Sequence, residues 1–528
     1  MLNVSRLVRL LPVVAILWMA WDAQAQSFRV QCPNSTALHP LVPELSASGV
    51  ATGNLLPNPH IKCQQISGGD GFATMGDGTQ TYLFAFGPLS GLSNMIKGLP
   101  GTVTAAEFNK SNLDASNGTL GADGVLEAVK IGAPYPGYLF NGAIGLVPDV
   151  EANNGTGTAG ALLTGHLDPR LIMDVGVLNG NIPAPTIAID EGDELFLTLT
   201  NVGQVMRPDL FEQHTVHFHG YPNASAFYDG VPDASVAINI GGSFTYYYLA
   251  PEAGTYMWHC HISPPEHLQM GMVGQIYVRP RQNTVAAGQS LHAQLVADQS
   301  DLFKKCGVDD LLCSVQLPPS NSVVRAANKM YAYDDGDGST AFDVEYPIQM
   351  HGFDPNFHFV GMTFNPESFI DNKDKFFLLN GRSYPDTINP NPMSTQATDG
   401  IPRFSQPLPT VINIPAGGKA LLRFSDLNVT EFHTLASLGI PMHVIGLNAR
   451  LLRDQDGTNM AYDTNSITLG GGESIDVILD ATNYTPGQKF YLYTPQLDHL
   501  SNDAENFGGM MTEVNICKAD YVTTKLCS

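Results

Sequence analysis

The sequence predicts an all-β protein built from two tandem Greek-key sandwiches, with a long irregular insertion near the N-terminus, and three observations carry that reading. Only 14% of the 528 residues are charged while glycines number 52 and prolines 36, a balance that suits turn-rich β domains better than long helices. At roughly 150 residues per domain the length suits about three units, and a 43% hydrophobic content is enough for packed cores. Short alternating apolar runs such as Glu194–Thr200 and Ser243–Leu249 lie between clusters of Gly, Pro, Asn and Asp, the pattern of antiparallel strands in a sandwich. With 26 Lys and Arg against 50 Asp and Glu, the formal charge of −24 disfavours nucleic acid and anionic membrane surfaces as partners.

Taken in chain order, residues 1–25 read as a secretory signal peptide. Arg6 and Arg9 precede an apolar run from Leu10 to about Ala20, and Ala23-Gln24-Ala25 offers the small residues that a signal peptidase accepts. The expected product is an exported protein, periplasmic or extracellular, and not an integral membrane protein. Residues 26–170 form an N-terminal extension and insertion, rich in Gly, Asn and Ala with weak periodicity over 87–165. The strand-like Thr81–Phe86 before it is expected to pair with the first sandwich. Residues 171–282 form that sandwich, 283–345 a linker, and 346–528 a second sandwich of similar texture, in which an Asn380-Gly381 turn, a Gly-bounded strand pair and an aromatic strand recur in the same order. Of the seven cysteines, Cys260 is expected to be the unpaired one, with Cys32–Cys63, Cys306–Cys313 and Cys517–Cys527 the simplest pairing of the rest.

Six of the 15 histidines fall within His214–His267, in the patterns HTVHFHG and HCHISPPEHLQMGM. Strand alternation puts His217 and His219 on one face, and sets His259 and His261 opposite Cys260. A thiolate, two imidazoles and a weak thioether make the trigonal set with a long axial ligand that suits type 1 copper. Cys260, His214, His267 and Met272 fill those places, with Met270 competing for the axial one. Zinc is the rival metal for Cys and His. His217, His219, His259 and His261 form an all-nitrogen set fit for copper that binds oxygen, and His259 and His261 lie one peptide from Cys260 on either side. By contrast, His39, His60, His166, His292, His351 and His358 read as satisfied core or surface residues, and His433 and His443 as core or turn residues. Asp229 in YDGVP reads as turn-forming.

These residues resemble a known family. NGNIPAPTI, HFHG, DGVP, GTYMWHCHI and EHLQMGM are similar to motifs of the multicopper oxidases, which are built from cupredoxin-fold, plastocyanin-like domains. The resemblance is strong over 171–282, weaker over 346–515, and favours Met272 as the axial ligand. It implies tandem cupredoxin-like sandwiches and one-electron oxidation of a small-molecule or metal-ion reductant at type 1 copper, coupled to reduction of dioxygen to water at a type 2/type 3 site. It assigns His217 to the type 2 ion and His219, His259 and His261 to the type 3 pair, with the reductant docking near His267 as the more exposed type 1 ligand. A complete cluster in that family takes eight histidines as four H-x-H-like pairs. This chain supplies two such pairs, so the resemblance implies a homo-oligomer that completes the copper cluster. The sequence is also similar to copper nitrite reductases, where His219, His259 and a neighbouring His499 would hold a type 2 copper. His217 in place of an Asp, and His261 after the Cys, favour the oxidase. A type 1 copper electron carrier is the non-enzymatic alternative.

Overall fold

In a computed structural model, the structure describes residues 31–95, 99–111, 180–290, 292–293, 324–361, 369–396 and 402–527, apart from 205, 208–209 and 222–224. The expected signal peptide, most of the insertion and the Cys306–Cys313 pair lie outside the described residues. A peripheral hairpin of β1 (Val42–Leu45) and β2 (Ala51–Leu56) precedes the first sandwich. One sheet of that sandwich has the order β4-β3-β7-β9, from Gln80–Pro88, Ile61–Thr74, Glu194–Gly203 and Ser243–Leu249, with the short β5 (Val103–Thr104) against β3. The facing sheet has the order β6-β11-β10-β8, from Ile187–Asp190, Val273–Arg279, Gly254–His259 and His217–His219.

The extension therefore gives two full strands to the sandwich. β4 contains Thr81–Phe86 and pairs with β3, which runs parallel to β7 from Ile61↔Glu194 onward. β3 has almost no exposed face, because β4 and β7 flank it and the second half of the chain covers its outer side. That cover includes Gln406, whose Oε1 accepts from Thr74 N at 2.9 Å. A strand buried on both faces need not alternate in polarity, which explains its weak periodicity.

Beyond a small hairpin of β12 (Met330–Tyr331) and β13 (Ala341–Phe342), the second sandwich repeats this plan. One sheet has the order β15-β14-β19-β25-β21-β22, from Phe376–Leu379, Val344–Phe353, Lys419–Asp426, Glu473–Asp480, Met442–Leu447 and Arg450–Leu451, with β23 (Tyr462–Thr464) beside β21. After β15 the pair β16 (Met393–Gln396) and β17 (Pro402–Ser405) forms a separate hairpin. The facing sheet has the order β18-β27-β26-β20-β24, from Ile412–Pro415, Met511–Cys517, Lys489–Tyr493, His433–Leu438 and Ser466–Leu469. Parallel pairs fall at the same places in both halves: β3 with β7 and β6 with β11, then β14 with β19 and β18 with β27. Disulfides Cys32–Cys63 and Cys517–Cys527 are formed, and Cys260 is free and buried. Among the described residues no helix is long and apolar enough to cross a membrane.

The two sandwiches meet across β10, β11, β19 and β25 through a buried polar network. Arg423 is wholly buried, with Nε 2.8 Å from Glu345 Oε1 and its guanidinium 3.7 Å from Asp476. Thr255 donates to Asp476 at 2.5 Å, Tyr333 donates to the same carboxylate, and Gln275 donates to Arg423 O at 2.8 Å. The Arg423 charge also lies over the Tyr277 ring at 5.0 Å. Burial opposes every charge in this network, so each depends on its partners. Arg423→Ala is expected to destabilise the protein by about 3–5 kcal/mol, because it leaves Asp476 buried without its cation and Glu345 with Arg279 alone. An unfolding free energy from denaturant titration within about 1 kcal/mol of wild type would contradict that.

Candidate metal centre

Two clusters of ligand-type side chains share one end of the first sandwich. His214 precedes β8 and is tied to Ile238 by a pair of backbone hydrogen bonds of 3.1 and 2.9 Å. Cys260 follows the last residue of β10, and His267 lies on the short helix Pro264–Gln269, with its ring Nδ1 3.2 Å from the Cys260 sulfur. The potential ligand atoms of His214, Cys260 and His267 all lie within 4.8 Å of one another, and all three residues are buried. Met272 is wholly buried beside them, and its backbone joins the other elements: Met272 N donates to His267 O at 2.9 Å and Cys260 N to Met272 O at 3.2 Å. Met270 is buried as well.

Burial alone would push the Cys260 thiol up. The charge and hydrogen bond of His267, with Nδ1 3.2 Å from Sγ, and the N–H of Thr215 at 3.4 Å outweigh it and lower the pKa. Burial pushes His267 down, yet the Cys260 charge and Glu212 raise it to about 9. The pair is therefore biased toward thiolate, the form that ligates metal. Burial, reinforced by His267, holds His214 well below the ordinary imidazole value, and among the described residues neither of its ring nitrogens has a hydrogen-bond partner. A buried neutral imidazole with both nitrogens unsatisfied is costly unless something such as a metal takes one of them.

His267 departs from the expectation of exposure. It is completely buried, with Nε2 3.5 Å from Glu212 Oε2, and Glu212 is the partly exposed group in front of it.

The second cluster consists of His217, His219 and His259, whose potential ligand atoms again lie within 4.8 Å of one another. β8 and β10 pair with His259 opposite His217, which brings the two histidine motifs together. The His217 ring nitrogen Nδ1 donates to Asp229 O at 2.7 Å and His259 Nδ1 donates to Cys260 O at 2.7 Å, so each ring keeps Nε2 for another partner. His259 Nε2 lies 3.3 Å from His219 Nδ1. The His261 ring is 5.0 Å from that of His217 and 5.7 Å from that of His259, while His261 N donates to Thr215 Oγ1 at 3.0 Å. Burial lowers the basicity of His217, His219 and His259, the last to about 3, which keeps these rings neutral and able to ligate. Asp229 caps the turn Ala226–Tyr228, and its carbonyl also orients His217.

Several supporting residues were not found by motif reading. Phe84 of β4 lies 6.3 Å from His214 and edge-on to His267 at 5.1 Å. Gly68 of β3 leaves room for His214, since a Cβ there would come within 2.8 Å of the ring. A Gly pair inside a strand-like run was the available signal for that close approach. Gly472, at φ +96, lets the second sandwich approach His219: a Cβ at this position would sit 3.0 Å from Nε2.

Residues 167–283, which contain both clusters, match the multicopper oxidase family model. The chain is 23% identical over 326 residues to laccase-2 of Cryptococcus neoformans, covering 61% of this chain and 43% of that protein. It is 34% identical over 112 residues to multicopper oxidase MCE of Talaromyces pinophilus, covering 21% of this chain and 17% of that one. Among solved structures, the blue copper oxidase from Nitrosomonas europaea superposes with a TM-score of 0.42 at 22% identity, over 64% of this chain and 78% of that one. The chain thus spans less than half the length of these two curated relatives. The resemblance to multicopper oxidases is thus carried by residues 167–283, the segment that holds both histidine motifs and the free cysteine.

Gly472→Ala is expected to cost about 1–2 kcal/mol from its left-handed backbone. By pressing on His219 it should also weaken metal binding at the histidine cluster roughly tenfold, without changing the His214–Cys260–His267 cluster. Competition with a chromophoric chelator, followed separately in Cys260→Ser, measures both, and an unchanged affinity at the histidine cluster would contradict the contact.

Proposed function

We propose that this chain is an exported, copper-dependent oxidoreductase that takes electrons singly from a small-molecule or metal-ion reductant and passes them to dioxygen, giving water. His214, Cys260, His267 and Met272 hold a type 1 copper; His217 holds a type 2 ion, and His219, His259 and His261 contribute to a type 3 pair. The donor set fits copper: a buried thiol biased toward thiolate, a buried thioether, and an imidazole whose nitrogens have no other partner among the described residues. When bound, copper supplies one-electron exchange at the thiolate site and oxygen reduction at the all-histidine site.

The observation that carries this reading is the His259-Cys260-His261 tripeptide. It sets the thiol of one cluster one peptide from histidines of the other, with both clusters assembled around it. The chain's own groups do the positioning. Glu212 orients His267 through Nε2, the carbonyls of Asp229 and Cys260 fix the rings of His217 and His259, and Thr215 holds both the Cys260 sulfur and the His261 backbone. Cys260 is wholly buried, and Phe84 packs edge-on to the His267 ring beside it. With His267 buried, the reductant meets the protein over Glu212 and the exposed Phe211, and that carboxylate suits a cationic or neutral reductant.

The second sandwich presents Gly472 to His219 in place of a histidine pair. The missing four ligands come from another copy of the chain, so the active form is a homo-oligomer. The proposed export rests on the signal-peptide pattern expected at residues 1–25.

Cys260→Ser tests the reading. In folded, copper-loaded protein it should abolish the intense thiolate-to-copper absorption and lower the rate of oxygen-coupled phenol oxidation roughly 100-fold or more. Retention of the full rate would show that electrons do not enter through this cysteine.

A further inference from the structure

The second sandwich repeats the thiolate cluster of the first, position by position, with two changes. His433 opens β20 in FHTLASLG as His214 stands in QHTVHFHG. Met510 N donates to His499 O at 3.0 Å, as Met272 N donates to His267 O at 2.9 Å. Thr494 N donates to Met510 O at 3.0 Å, as Cys260 N donates to Met272 O at 3.2 Å, so Thr494 occupies the place of the cysteine. The supporting groups are duplicated too. Glu431, two residues before His433, reaches His499 Nε2 at 3.0 Å, as Glu212, two residues before His214, reaches His267 Nε2 at 3.5 Å. Phe377 of β15 packs on both His433 and His499, as Phe84 of β4 packs on His214 and His267.

The two changes compensate in charge. Thr494 removes the thiolate. Asp426 introduces a carboxylate at the position of Asn201: its Oδ1 accepts the N–H two residues on, from Asn428 at 2.7 Å, as Asn201 Oδ1 accepts from Gly203 at 2.9 Å. The other oxygen, Oδ2, faces His433 Nδ1 at 3.1 Å without an aligned hydrogen bond. His433, His499, Asp426, Thr494 and Met510 are all buried. Among the described residues His499 Nδ1 and His433 Nε2 have no hydrogen-bond partner, which is costly in an apolar core, while His433 Nδ1 and Asp426 Oδ2 face one another as a buried ion pair.

We propose that His433 Nδ1, His499 Nδ1 and Asp426 Oδ2 form a further metal site in the second sandwich, one that takes a divalent ion through two imidazoles and a carboxylate. With oxygen in place of sulfur the site suits Zn2+ or a non-blue Cu2+ and does not suit Cu+. The imidazole rings stand 5.9 Å apart, against 5.4 Å in the first sandwich. The three donor atoms are not all within 4.8 Å of one another, as they are in each cluster of the first sandwich, so binding draws them together. The site rests on the internal duplication and does not depend on the oxidase reading.

Equilibrium dialysis of the whole protein against Zn2+ alone tests it. Metal per chain is measured in wild type, His433→Gln and His499→Gln, with the half-buried His443→Ala as control and circular dichroism to verify folding. The expected result is one ion fewer per chain in each of the first two variants and no change in the control; wild-type stoichiometry in folded His433→Gln and His499→Gln would overturn the site. If those variants fail to fold, the decision passes to the double variant Cys260→Ser/Thr494→Cys loaded with Cu2+. Rebuilding the thiolate cluster in the second sandwich should produce an intense thiolate-to-copper absorption that Cys260→Ser alone lacks, and a colourless double variant would overturn the proposal.

Discussion

Everything at the candidate centre depends on where the chain places one thiol. Cys260 sits just past the end of β10, wholly buried, where a strand that has been reading its side chains alternately in and out gives way to a short helix. At that point its neighbours in sequence, His259 and His261, turn toward one cluster while its sulfur turns toward another. The sulfur must be held as thiolate in an apolar surrounding, which burial resists. His267 and the N–H of Thr215 supply the countervailing charge and hydrogen bond. His267 in turn needs Glu212, and Glu212 needs the segment between β7 and β8 to run past the mouth of the site.

The sandwich is the device that meets these demands. β8 and β10 must pair in register for His217 to face His259, and β3 must carry glycine at Gly68 for His214 to lie flat against the opposite sheet. The second sandwich contributes from outside, through the buried ion network of Arg423, Glu345 and Asp476 and through the close approach of Gly472 to His219. Such a network is a weak source of net stability, but it is sensitive to misalignment, because any sliding of the two sandwiches leaves a buried charge without its partner. It therefore fixes the relative placement on which the His219 contact depends.

Much of this was legible in the sequence. The two histidine motifs and the cysteine between them are local patterns, and the spacing His214-x-x-His217-x-His219 survives folding because a strand preserves its order. What the sequence concealed was non-local or covered on both sides. Phe84 and Gly68 reach the site from well over 100 residues away, and β3 shows little alternation because water touches neither face. The family resemblance implies an exposed His267, whereas the ring is wholly buried, because exposure depends on the turn of the helix Pro264–Gln269, which a motif does not specify. His433 reads as an ordinary core histidine until its hydrogen-bonded surroundings are set beside those of His214.

The central claim is that two adjacent clusters hold coppers of different kind that act together. Total copper per chain, set against the integrated electron paramagnetic resonance signal of the copper-loaded protein, tests it most directly. The account predicts a type 1 signal, a type 2 signal and a substantial fraction of copper that is silent because its spins are paired. A type 1 signal alone, or type 1 and type 2 signals that together account for all the copper, would contradict it.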